Sequence, residues 1–265
     1  MGSAVGSLVI RGLLVGIIAG LLAFTFARFI AEPVVQVAID FESAHDQAER
    51  QEQIKNGITP EPEEPEIFSR AVQRSVGLLT GLVGIGAGIG AIFGVMFAFA
   101  NGRMLTPGLG KLGPGATSTL LAFYGIWSAY IIPALKYPPN PPAIGEPETI
   151  KLRTGVYFLM MALSIASTVG ALMLRRQLVP KFGPWGGAVL AFLAYIVAIV
   201  FFYLVLPVIN EVPEGFPAST LWQFRMDSLT IQCILWGSIG LMFGWLAERP
   251  ASSWAQLRSP AAMTR

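Results

Sequence analysis

"RGLLVGIIAGLLAFTFARFIAEP", residues 11–33, decides the fold. No charged side chain falls between Arg11 and Arg28. A helix rises about 1.5 Å per residue, so about 20 apolar residues cross the roughly 30 Å hydrocarbon layer of a bilayer. With the preceding Leu8, the run fills a span over 8–30. Arg11 and Arg28 lie near its ends, where their heads can snorkel to water. A secretory leader has a shorter apolar region and a small-residue cleavage site. Neither fits here, so the expectation is a retained helix. Gly12, Gly16 and Gly20 recur every four residues. Such a stripe lets two helix backbones approach closely, or forms a smooth surface for a moving helix.

The rest of the chain repeats the pattern. Of 265 residues, 54% are hydrophobic and only 13% charged, with a mean hydropathy of +0.61. Soluble domains carry about 25% charged residues. Further apolar runs cover 76–100, 116–135, 155–174, 186–206 and 228–246. None shows the ten-residue alternation of a membrane barrel, which leaves helices as the way to satisfy the backbone in lipid. The predicted fold is an all-α integral membrane protein with six transmembrane helices in one polytopic domain, 1–265. Gly77 and Gly81, then Gly86, Gly90 and Gly94, give the second span its own small-residue stripe.

Charge separates the loops. Segment 101–115 carries Arg103 and Lys111 and no acid, and segment 175–185 carries Arg175, Arg176 and Lys181 and no acid. Every acidic residue except Glu248 falls in 31–75, 136–154 or 207–227. Short basic loops stay in the cytoplasm, which predicts cytoplasmic termini and three acidic, Pro-rich outer loops, the longest being 31–75. A negative outer face concentrates cations. Each acidic loop ends on an arginine before the next apolar run: Arg70 in "EPEIFSR", Arg153 in "EPETIKLR" and Arg225 in "STLWQFR". Three repeated hairpins would produce this, and so would convergence on interfacial arginines.

Several chemistries are absent. "GLGKLGPG" lacks the spacing of a P-loop, and the apolar runs hold no chain of acids for a proton pump. The single cysteine, Cys233, allows no disulfide framework, and the nine methionines read as packing. There is one histidine, so no Ser/His/Asp arrangement or HExxH motif stands out, and an enzyme is disfavoured. The basic loops are short and lack interleaved aromatics, which disfavours nucleic acid.

The single histidine sits in "IDFESAHDQAE", 39–49. On a helix, Glu42, His45, Asp46 and Glu49 share one face. Glu-x-x-His is a spacing of carboxylate metal sites, and imidazole with carboxylate suits Co, Ni, Fe or Zn. A solvated amphipathic face reads the same way. The loop "LKYPPNPPAIGEPETI", 135–150, offers Asn140, Glu146 and Glu148 on a stiff proline framework, or is simply a rigid lid. "LPVINEVPEGFP" adds Asn210 and Glu211.

Together, "RGLLVGIIAGLLAFTFARFIAEP", "FESAH", "LKYPPNPPAIGEPETIKLRT", "PVINEVPEGFPASTLWQFR" and "LMFGWLAER" resemble the CbtA family of predicted cobalt transporter subunits, from about Arg11 to Arg249. The resemblance implies a bacterial inner-membrane protein of cobalt uptake and cobalamin supply. It also implies a small single-span CbtB-type partner bearing a histidine motif. The family is often described with five spans, whereas six are counted here. Matching positions are Glu32, Glu42 and His45; Lys136, Tyr137, Asn140, Pro141, Pro142, Glu146 and Arg153; and Asn210, Glu211, Pro213, Trp222 and Arg225. The acidic stretch 59–66 and the tail after Arg249 depart from it.

The expected metal ligands are Glu42, His45, Glu146 and Glu211. Glu32, Lys136, Asn140, Arg153, Asn210 and Arg225 would support them, the arginines by orienting carboxylates rather than touching the cation. The divalent cation is substrate, and no cofactor is implied. The other partners expected are membrane lipid and the CbtB-type subunit. The competing reading is a membrane scaffold that docks another protein through its outer loops.

Overall fold

The first apolar span does not end where the membrane would. In the computed structural model, which describes residues 2–59, 68–101, 112–142, 144–145 and 147–249, helix α1 (Gly2–Phe26) runs through a π-helical turn, Ala27–Ala31, into α2 (Glu32–Lys55). The first half of the segment expected as an acidic outer loop is therefore a rigid rod. Val5–Lys55 is 51 residues, about 77 Å, more than twice the bilayer core. Nothing in "EPVVQVAIDFESAHDQAERQEQIK" breaks a helix until Asn56 and Gly57. There Gly57 takes φ 75°, and the amides of Gly57 and Ile58 donate to the carbonyls of Ile54 and Gln53. That is a Schellman stop.

Pro33 explains the π-helical turn. A proline has no N–H and its ring crowds the carbonyl four residues back, so the preceding turn widens to keep the chain helical. The same device recurs a hundred residues on. The turn Trp127–Ile131 precedes Pro133, joining α5 (Pro114–Ile126) to α6 (Ile132–Lys136). A third such turn, Gln73–Gly77, links α3 (Arg70–Val72) to α4 (Leu78–Ala100) and has no proline to account for it.

Among the described residues, five helical stretches are long and apolar enough to cross a membrane: Val5–Lys55, Arg70–Ala100, Pro114–Lys136, Ile150–Val205 and Ala218–Glu248. The difference from six expected spans lies in α7 (Ile150–Val205), which contains both 155–174 and 186–206. Gly183 interrupts it with φ 73° and ψ 172°, a conformation that suits glycine alone, and Pro184 follows. A straight helix would put Val156 and Ile199 about 64 Å apart. Instead Val156 and Met160 share a core with Tyr195 and Ile199, so the two arms fold back on each other.

The glycine stripe of α1 meets α4 in antiparallel register. A methyl on Gly12 would strike the carbonyl of Gly90, one on Gly16 that of Gly86, and one on Gly20 would come 2.6 Å from that of Leu82. Gly94 closes the row against Leu8. This is close backbone packing of the kind expected. Only the 86/90/94 stripe takes part. A Cβ on Gly81 would meet nothing within 4 Å, and one on Gly77 would meet only its own helix at Val72. Val15, Ala19, Phe93, Phe97, Ala122, Leu235, Ile239 and Phe243 then form a core with α5 and α8 (Ala218–Glu248). Phe243 sits edge-on to Phe93 and Phe97. The Ser118 hydroxyl donates to the Gly240 carbonyl at 2.7 Å, which locks α5 to α8.

Candidate functional site

The three acidic segments converge at one end of the bundle. Ala38 of α2, Ile144 of the second loop and Phe216 of the third are buried together, with Phe41, Val212 and Leu221 against them. Phe41 links this small core to the histidine. Its ring stacks on His45 (centroids 6.2 Å, 7° between planes) and packs edge-on to Phe216 at 5.0 Å. His45 and Glu42 are exposed on α2 beside that core. Partial burial, then the charge of Asp46 one turn on, raises the Glu42 carboxyl above its ordinary 4.5.

Below this, arginines tie the segments together. Arg70 forms an ion pair with Glu32 and reaches Gln36 at 3.4 Å, and Gln36 in turn donates to Asp40 at 2.9 Å. Arg153 Nε lies 3.2 Å from Glu211 Oε2, while its Nη1 donates to the Ile144 carbonyl at 3.2 Å. Gly145, at φ 116°, makes room, since a Cβ there would strike the Arg153 guanidinium. Arg225 Nη2 donates to Asn140 Oδ1 at 3.0 Å. Two of the three arginines thus hold carboxylates, and the third holds an amide.

Lys136 serves the scaffold. Its ammonium donates to the Tyr203 carbonyl at 2.7 Å, in the last turn of α7, where carbonyls lack helical partners. The Tyr203 hydroxyl returns a bond to Ile132, and the Tyr137 hydroxyl donates to Pro207 at 2.7 Å. These bonds hold the proline loop over a cavity of about 460 Å³. Tyr137, Asn140, Arg153, Tyr157, Asn210 and Arg225 supply its polar wall.

Of the four expected ligands, Glu42, His45 and Glu211 fall among the described residues, and these three do not form one cluster. No group of three or more His, Cys, Asp or Glu side chains there is placed to share an ion. Glu42 and His45 neighbour each other on α2, and Glu211 is held by Arg153. Glu146 lies outside the described residues, as do the basic segment 102–111 and the tail 250–265.

Sequence reasoning missed Asp227. It is 8% exposed, and its Oδ2 is buried without a hydrogen-bond partner. Trp222 and Trp245 are both exposed on α8, about 34 Å apart along the helix axis, as interfacial aromatics are. Asp227 lies five residues, about 7 Å along the helix axis, from Trp222. The sequence signal was an acid abutting the apolar run at 228, dismissed as the end of a loop.

Long apolar helices and a glycine-packed pair are the features of a polytopic membrane protein, with a polar cavity beside its converging acidic segments. The chain belongs to the CbtA family, described as a probable cobalt transporter subunit, whose model matches residues 5–248. No curated protein and no solved structure matches it. The family is one of transporter subunits rather than enzymes.

Proposed function

We propose that the protein is the ion-handling subunit of a cobalt-type divalent cation uptake system in the bacterial inner membrane. The chain crosses six times, counting both arms of α7, with its termini in the cytoplasm and its acidic end outside. The convergence of the three acidic segments at the core of Ala38, Ile144 and Phe216 carries this reading. It brings the rod that bears Glu42 and His45 next to the loop that bears Glu211; in this reading those three are ligands, and Glu146 is the fourth. One imidazole and a few carboxylates leave a six-coordinate ion in need of waters or a partner's ligands. A small CbtB-type subunit would supply these, and the lack of a P-loop assigns energy coupling to it or to a further component.

The test is radiolabelled cobalt accumulation by cells expressing the protein with its partner. The double variant Glu42→Ala/His45→Ala should lose most of the uptake, and unchanged uptake would remove these two residues from the ligand set. No uptake by the wild-type pair would instead favour a scaffold that docks a protein along the exposed far end of α2. A reporter fused at the C-terminus should be active in the cytoplasm, and external activity would overturn the six crossings.

Acidity gives a second test. The raised Glu42 carboxyl keeps its proton at higher pH than a free carboxylate, so protons compete with the cation earlier. Cobalt binding to the purified protein should fall as pH drops through a window above 4.5. Asp46→Asn removes the like charge and should move that window downward. A midpoint that stays in place would break the link between Glu42 and binding.

A further inference from the structure

The wall of the 460 Å³ cavity has the wrong polarity for a bare cation. Among the described residues its side chains include two guanidiniums, Arg153 and Arg225, and two amides, Asn140 and Asn210, and no carboxylate. Arg153 is offset by Glu211 behind it. Arg225 is not offset: among the described residues its one hydrogen-bond partner is the neutral Asn140, and its Nε is buried without a partner. A guanidinium withdrawn from water without a counter-charge is costly, and its planar fork is shaped for two oxygens of an oxyanion. A divalent cation placed beside it would be repelled.

The volume narrows the occupant. At 460 Å³ the cavity falls within the roughly 300–1,000 Å³ range of small-molecule sites, too much room for a simple inorganic anion alone. Pro138, Pro139, Phe158, Ile209 and Val212 give the remaining wall an apolar surface for a carbon skeleton. Donors on Arg225, Arg153 and Asn210 line the same cavity and can meet more than one acid group.

We propose that this cavity binds a small organic polycarboxylate, with Arg225 as its principal anchor. Such acids chelate divalent cations. Resting on the uptake reading above, the ion would then reach this end of the protein as an anionic chelate, its ligand's carboxylates on the arginines.

Equilibrium dialysis of the full-length protein in neutral-lipid nanodiscs against radiolabelled citrate, with and without cobalt, tests it. Saturable citrate binding is expected, weakened about tenfold or more in Arg225→Gln and less in Arg225→Lys, which keeps the charge but loses the fork. An unchanged thermal transition of Arg225→Gln would show the loss is local. If that variant misfolds, Asn210→Leu, which removes a donor without unburying a charge, should weaken citrate binding alone. Undetectable citrate binding, or binding indifferent to both substitutions, would overturn the proposal. So would equal displacement of citrate by inorganic phosphate or by anionic lipid in the disc, since the site would then be a general oxyanion or headgroup site. Cobalt uptake without citrate binding would leave the transport reading standing and remove this one. Citrate binding without uptake would do the reverse.

Discussion

A Gly90→Leu protein will not assemble the α1–α4 pair, and little monodisperse protein will be recovered from the membrane. In lipid, no hydrophobic effect pushes two helices together, so their association rests on close van der Waals contact. Here that contact is backbone on backbone. A side chain at Gly90 would run into the Gly12 carbonyl, whose position is fixed by its own helix. Overpacking usually costs about 1–3 kcal/mol because neighbouring side chains can shift. A backbone carbonyl cannot rotate aside, so the helices must separate, and the contacts at Gly12, Gly16 and Gly20 are lost together. Gly90→Ala should be intermediate. The chain supplies its own control: a Cβ on Gly84 or Gly88 of the same helix meets nothing within 4 Å. Leucine at either position faces lipid and should leave yield and melting temperature near wild type. Size-exclusion chromatography and thermal melting of the four variants decide the matter. If Gly90→Leu behaves like Gly88→Leu, the close packing is not what holds the pair.

The same residues show what was legible in the sequence. The glycine period marked α1 and α4 as close-packing helices, because a stripe of small residues has one main structural use. It did not say that Gly12 meets Gly90, nor that Gly77 and Gly81 stand outside the contact. Pairing is settled by the other helices that must fit around it, and a period carries no information on that. Six apolar runs are visible, and 155–174 and 186–206 are two helical arms turned back on each other at Gly183; hydropathy could not show how tight that turn is. The polar half of the first long helix reads as loop because it is acidic, although after Pro33 it holds no helix breaker before Asn56. Pro33 and Pro133 were legible as kinks in principle, yet the π-helical turns they require were not foreseen. At the site, the arginines closing each acidic segment are expected to orient carboxylates; Arg70 and Arg153 do, whereas Arg225 holds the Asn140 amide. Which acceptor each one takes depended on how the three segments meet, and that is set by Phe41, Ile144 and Phe216 far from any charge.

Arg70→Ala should cost about 3 kcal/mol of stability, the lower end for a broken buried pair. Its partner Glu32 has a side chain 11% exposed at the α1–α2 junction, whereas the Arg70 side chain is 26% exposed. That difference in exposure predicts an asymmetry. Without Arg70 the carboxylate stays buried with no counter-charge, and Gln36 loses its contact as well. Without the carboxylate, in Glu32→Gln, the guanidinium can still turn toward water, and the amide keeps a hydrogen bond to it. Glu32→Gln should therefore cost about 1 kcal/mol, the worth of a single charge-assisted bond. The double variant Glu32→Leu/Arg70→Leu should recover most of the loss, since an apolar pair of similar volume carries no desolvation penalty. Thermal melts of the three variants in one detergent measure the ranking. Equal losses in Arg70→Ala and Glu32→Gln would mean that burial does not set the energetics of this pair. The ranking also bears on the site, because Glu32 lies at the start of the rod that carries Glu42 and His45. If Arg70→Ala lowers cobalt uptake while Glu32→Leu/Arg70→Leu restores it, the pair matters for aiming α2 and its charge is not itself used by the ion.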